Sequence, residues 1–346
     1  MCVFNAAAKL MIYPTAMAAM CGNVLWLPVL ADCLLQSLVV WLVCMLAART
    51  DRTFFELLSC AFGRPAARVV YVAFALYFAL SAFVPMTEQQ AMVHEVFYDT
   101  IPSLLTFLPF FFFSAYAGSR GLTNAGRTAE ICLPVFAVTV IILVVMGLPE
   151  CDFSALLPVS APIKSVVGGC VGGFFRFNEG AVMLLLMGHF RYKRGDAMKI
   201  TLSCALGGAI VAAVCAVFYA IYSFLAPQQY FAIAKISIFF SAISLIGRTD
   251  LMAVYALDIA MLFAIAMYIQ LAVYCLSKAF SVQLHPLYSL VINIALFALT
   301  LLFNNKFALV QQLGTAVLGW GTLLFACAMP AAGWLAYIVG VKHEKV

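Results

Sequence analysis

The charged residues best placed to do chemistry are Arg176 and Glu179, within Phe174-Phe175-Arg176-Phe177-Asn178-Glu179-Gly180, which follows the pairs Gly168-Gly169 and Gly172-Gly173. They sit inside an apolar run, Val166 to Gly188, long enough to cross a bilayer. A charge at the centre of such a helix costs roughly 2.5 to 3.5 kcal/mol on insertion scales. The glycines weaken the helix just ahead of the charges. Arg176 and Glu179 occupy neighbouring positions of one helical face, so they can pair and lower that cost. Alternatively, Arg176 meets a ligand carboxylate and Glu179 meets an ammonium or a proton. A zwitterion could replace each partner in turn.

Backbone groups offer a second kind of contact. Gly22-Asn23 in the first apolar run and Gly172-Gly173 in the sixth are expected to unwind their helices. Unpaired N–H groups there would carry partial positive charge suited to a carboxylate. Close helix packing is the competing role for such glycines. Asp258 is expected to face either an ammonium or coupling cation in the bundle, or water near the outer interface. Tyr77 and Tyr255 are candidate pocket walls. Glu88 and Asp32, near span ends, read as solvated or capping residues, and Glu130 as structural.

Catalysis and metal binding find no support. The sequence has no HExxH, no glycine-rich phosphate loop and no G-x-S-x-G, and His94, His189, His285 and His343 lie far apart. The 12 cysteines are scattered singly through apolar runs, which suits buried free thiols. No enzyme activity, cofactor or metal is expected.

These residues must be held by membrane helices. The chain of 346 residues is 66% hydrophobic and 10% charged, with mean hydropathy +1.08. Soluble domains are about 45–50% apolar and about 25% charged. Continuous apolar runs of this length exclude barrel strands, leaving an all-α polytopic membrane protein. Ten spans are expected near 10–28, 29–48, 68–92, 102–118, 128–148, 166–188, 199–226, 252–277, 286–303 and 315–340. The run after Lys9 reads as the first span, since no small-residue cleavage site follows it. With both termini cytoplasmic, most of the 19 Lys and Arg fall on the inner side. The net charge of +5 therefore reads as loop charge, with the lipid bilayer as partner and no nucleic acid. Residues 230–247 could form an eleventh span, but Lys235 and three serines favour a helix on the outer interface. Thr53 to Phe62 reads as a cytoplasmic interfacial helix with Phe54, Phe55, Leu57, Leu58 and Phe62 against lipid. Ten spans divide into halves of five, about 6–148 and 166–340, and an odd number per half inverts the second. The first span of each half carries breaking signals: Pro14 and Cys21-Gly22-Asn23 in one, the diglycines and charges in the other.

Four segments, in order, resemble a known family. Gly22-Asn23-Val24-Leu25-Trp26-Leu27-Pro28 resembles the G-x-x-I/L-x-x-P signature of the broken first helix in amino acid–polyamine–organocation transporters. Gly121-Leu122-Thr123-Asn124-Ala125-Gly126-Arg127-Thr128-Ala129-Glu130-Ile131 resembles the segment opening span five in the B subunits of spore germination receptors. Phe153-Ser154-Ala155-Leu156-Leu157-Pro158-Val159 is similar to their outer-loop L-L-P motif, and Gly247-Arg248-Thr249-Asp250 to their Arg-x-acid pair. The resemblance implies a LeuT-like 5+5 inverted repeat in one transmembrane domain, with broken first and sixth helices. It also implies a sensor of a small-molecule nutrient, commonly an amino acid, in the inner membrane of a bacterial spore. Such subunits work beside germination receptor A and C subunits. An ion-coupled amino acid permease is the alternative role. The chain departs from the family in a shorter join between spans one and two. It also carries Arg176 and Glu179 where small residues usually surround the span-six motif.

Overall fold

A computed structural model describes residues 1–97, 103–159, 162–190, 192–193, 195–237, 250–283, 286–303 and 306–343. The elements are α1 (Cys2–Ala7), α2 (Tyr13–Cys21), α3 (Trp26–Ala47), α4 (Phe54–Phe62), α5 (Arg64–Phe97), α6 (Ser103–Gly118), α7 (Leu122–Gly147), α8 (Ile163–Gly173), α9 (Glu179–Leu186), α10 (Asp196–Tyr222), α11 (Ala232–Ser237), α12 (Asp250–Phe280) and α13 (Pro286–Leu302). A final helical rod joins α14 (Phe307–Leu313), α15 (Gly319–Thr322) and α16 (Met329–His343) through π-helical segments Gly314–Leu318 and Leu323–Ala328. Among the described residues, 6 helices are long and apolar enough to cross a membrane, and Leu108–Gly118 and Pro286–Leu302 are shorter apolar helices. The question of an eleventh span falls mostly on residues 238–249, outside the described residues.

Two crossings are broken. The first interruption is Ala8 to Ile12, between α1 and α2, not Gly22-Asn23 as the sequence suggested. Pro14 explains its position. Proline has no N–H to continue the ladder and is tolerated in the first turn of a helix, where it stands in α2. Carbonyls freed by the break find other donors: Ala8 O accepts from Arg176 at 3.4 Å, and Met11 O from Ala232 N at 3.1 Å. The expected span 10–28 is thereby shifted toward the N-terminus, and Lys9 enters the protein interior, 1% exposed.

The second interruption stands where expected, from Phe174 to Asn178. Its backbone is satisfied from neighbouring helices. Gln36 Oε1 of α3 accepts from Gly180 N at 3.1 Å, while Thr322 and Thr315 of the final rod donate to Phe175 O and Gly172 O at 3.3 and 3.4 Å. Both π-helical segments flank this contact, and such distortions are frequent at functional sites. Around the interruptions, α2 packs on α8, α3 on α10, and α5 on α12.

The helix α4 forms as expected, with a capping box between Thr53 and Glu56. Its surroundings differ from expectation. Phe54, Leu57 and Leu58 are buried against α5 and α16 instead of lipid, while Phe62 stays exposed.

Candidate functional site

The interruptions exchange charges. Lys9 Nζ pairs with Glu179 Oε1, the carboxylate of the first residue of α9. Asn5 holds the ammonium from behind, accepting through its side-chain oxygen and, at 2.9 Å, through its backbone carbonyl. The Phe177 ring lies 4.4 Å away on another side. Asn5 is itself fixed by donating to Cys204 O at 2.9 Å. Arg176 faces the opposite way. Its guanidinium makes a two-pronged pair with Glu88 of α5, Nη1 to Oε2 at 3.2 Å and Nη2 to Oε1. Nη1 also donates to Ala8 O and Nη2 to Gln311 Oε1 at 3.3 Å.

Four ionisable side chains thus lie together at 5% exposure or less. Taking a charge out of water costs several kcal/mol per ion, and a buried pair is sustained only by good geometry and further hydrogen bonds. Here the satisfaction is incomplete in a specific way. Arg176 Nε, a donor, and Glu179 Oε2, an acceptor, have no partner among the described residues. Ser81 Oγ and Tyr13 OH are likewise unpartnered and buried. Beside Arg176 is a cavity of about 20 Å³ lined by Ala8, Ser81, Pro85, Asn178 and Tyr268. That is room for about one water. Asn178 and Tyr268 close it by exchanging hydrogen bonds of 3.0 and 3.2 Å.

A second buried polar contact adjoins the first along α5. Gln89, next to Glu88, donates to Asp258 Oδ1 at 2.8 Å, leaving Asp258 Oδ2 and Gln89 Oε1 without partners. Asp258 is 1% exposed, so the water-facing alternative is excluded.

The sequence-derived candidates fall into three groups. Arg176 and Glu179 stand at the centre, but pair with Glu88 and Lys9 instead of each other. Gly172 and Gly173 serve close packing: a Cβ on Gly173 would lie 2.9 Å from Met17 Cε and 3.0 Å from Tyr13, and one on Gly172 would meet Met20. Gly22 and Asn23 form the turn between α2 and α3. Gly22 has φ +58°, and Asn23 donates to Pro158 O at 2.8 Å, tying the turn to the loop that follows α7. Tyr77 is buried and bonds Thr322 at 2.9 Å, one step from the interruption through Phe175 O. Tyr255 is 42% exposed on the surface of α12 and does not line the cavity beside Arg176.

Sequence reasoning missed Lys9, Asn5 and Glu88 as site residues. Lys9 carried a signal: apolar residues flank it on both sides from Cys2 to Tyr13, apart from Asn5, so it could equally lie inside a crossing. Glu88 heads Glu88-Gln89-Gln90, a polar run within a long apolar helix. Asp32, expected near a span end as a solvated or capping residue, lies beyond the first turn of α3 and is buried.

Two interrupted helices meeting at a charged centre, inside an all-helical apolar protein, define a membrane protein of transporter-like organisation. The chain belongs to the spore germination protein family, the spore permeases, whose family model matches residues 1–308. No curated protein matches the sequence. Among solved structures, Mhp1 in its inward-facing conformation is similar over 95% of this chain and 75% of its own, at 13% identity and TM-score 0.48.

Proposed function

We propose that this chain is the germinant-sensing membrane subunit of a spore germination receptor, and that its ligand is a small nutrient zwitterion, most simply an amino acid. The observation that carries the reading is that one interruption holds both an unpartnered buried donor, Arg176 Nε, and, three residues on, an unpartnered buried acceptor, Glu179 Oε2. A ligand carboxylate suits the first and a ligand ammonium the second. Glu88 and Lys9 already act as internal versions of those two groups. A ligand would compete with them, and the 20 Å³ cavity must widen to admit it. Binding therefore requires separation of the broken helices, and the ligand shifts that equilibrium by its differential affinity for the two arrangements. Asp258 and Tyr77 would respond through α5 and the final rod.

In this reading the five-plus-five repeat inverts about the paired helices, with both termini cytoplasmic and the protein in the spore inner membrane. The widened arrangement would be read out by A- and C-type receptor subunits. Ion-coupled transport of the same amino acid is the second reading, favoured by the unpartnered Asp258 Oδ2, which could take up a proton or cation. Uptake separates them. Liposomes holding the chain alone are given a labelled amino-acid mixture under an imposed proton or sodium gradient. Sensing predicts binding without accumulation; accumulation above equilibrium, lost in Glu179→Gln, would make the protein a permease.

A further inference from the structure

Away from the charged centre, a groove of about 490 Å³ runs between α6, α7 and α12. Its two ends differ in chemistry. At the α6–α7 turn it is lined by Arg120, Asn124, Arg127 and Thr128. Deeper, it is lined by Phe113, Ile131, Ile259 and Phe263, of which Ile131 is 73% and Ile259 53% exposed. Along α12 the apolar part extends from Gln270 to Ile259, about 16 Å at the helical rise. Arg120 is held over the polar end: its guanidinium lies 4.3 Å from the Tyr116 ring and donates to the Tyr116 hydroxyl. Gln270 lies at the junction and is 6% exposed. Its Nε2 donates to Ala117 O at 2.6 Å, which fixes the amide and leaves the buried Oε1 without a partner; Gln270 is itself one of the residues lining the groove. No acidic side chain lines the groove among the described residues.

We propose that this groove binds an anionic phospholipid whose headgroup also carries a hydroxyl, of the phosphatidylglycerol kind. The phosphodiester meets Arg120 and Arg127, a headgroup hydroxyl donates to Gln270 Oε1, and an acyl chain lies along the apolar part. Charge complementarity selects a lipid over water or a neutral amphiphile, and the length of the apolar part selects a chain. Basic pockets between membrane helices have this affinity for anionic headgroups.

The test is native mass spectrometry of the full chain exchanged into equimolar phosphatidylglycerol, phosphatidic acid and phosphatidylcholine. Each arginine should contribute ~5-fold, the ~1 kcal/mol of a basic residue against anionic lipid, giving phosphatidylglycerol roughly 25-fold over phosphatidylcholine. Arg120→Gln with Arg127→Gln should abolish that preference without lowering the melting temperature. Gln270→Leu should make phosphatidylglycerol equal to phosphatidic acid while both still exceed phosphatidylcholine. Equal retention of all three lipids by the unaltered protein would overturn the proposal. A second readout is alkylation of Ile131→Cys, which phosphatidylglycerol should slow. Slowing by a co-purified membrane subunit alone would assign the groove to a protein partner and overturn it as well.

Discussion

Lys9 and Glu179, 170 residues apart in the chain, form a buried ion pair that fastens the first interruption to the start of α9. Arg176 returns the connection by donating to Ala8 O, the residue before Lys9. The two broken helices are thus held together by charges from each other's unwound segments. Any change of arrangement at this centre has to break or exchange those contacts.

Breaking one side of the Lys9 pair should be costly. Lys9→Met leaves Glu179 buried without its counterion, and removing one partner of a buried pair typically costs about 3–5 kcal/mol. Glu179→Gln in the same chain should recover much of that loss, because the uncompensated charge disappears. Unfolding of the four proteins of this cycle in detergent gives the coupling directly. Strictly additive losses would mean that the two side chains do not act as a pair.

Glycine substitutions should divide by position, not by helix propensity. A Cβ on Gly180 would run into the Ala326 carbonyl and lie 2.7 Å from Val39 Cγ1, so Gly180→Ala should cost about 1–3 kcal/mol. Nothing lies within 4 Å of a Cβ on Gly168, and there alanine should be neutral or stabilising by about 0.5–1 kcal/mol. Melting temperatures of the two variants check the contrast, and equal shifts would refute it.

Arg176→Lys should behave nearly as badly as Arg176→Ala. Lysine keeps the charge but cannot reproduce the fork that meets Glu88, Ala8 O and Gln311 together. Lysine also lacks the Nε–H left free for a ligand carboxylate, and loss of that charged hydrogen bond, worth about 1.5–3 kcal/mol, predicts at least about tenfold weaker amino-acid binding. Equilibrium binding of labelled amino acids measures it; full affinity in the lysine variant would show that charge alone matters.

Outside the membrane, Asp152 accepts from Ser154 N at 2.9 Å and Ser154 Oγ at 2.6 Å, and these bonds hold its carboxyl below the ordinary range. A depressed carboxylate stabilises the folded loop above the free value of about 3.9. That stabilisation is lost as pH falls through the lowered folded value. Carboxyl NMR should show a midpoint below that of free aspartate, moving up toward it in Ser154→Ala. A midpoint unaffected by that substitution would remove Ser154 as the cause.

Much of this was legible in the sequence because membrane insertion has few solutions. Apolar runs give helices, and Arg176 with its glycines marked the second interruption correctly. The first was misplaced because a lysine at the edge of an apolar run reads as a loop charge. Its insertion cost is offset by Glu179, 170 residues away, which no local pattern reveals. Glu88 was misread for the same reason, its partner lying on a distant segment. The diglycines illustrate a different limit: packing and unwinding both favour glycine, and only the neighbours Tyr13, Met17 and Met20 decide between them.

The central claim is that a ligand exchanges with the internal ion pairs. Its most direct test is amino-acid affinity in Glu88→Gln, which removes the carboxylate competing for Arg176 while leaving the amide able to accept one hydrogen bond. A labelled mixture of amino acids, resolved by competition, serves as the probe, with melting temperature as the folding control. The account predicts binding tighter by about tenfold, the equivalent of ~1.4 kcal/mol of competition removed. Unchanged or weaker binding in folded protein would contradict it, and would make the Arg176–Glu88 pair a structural fastening only.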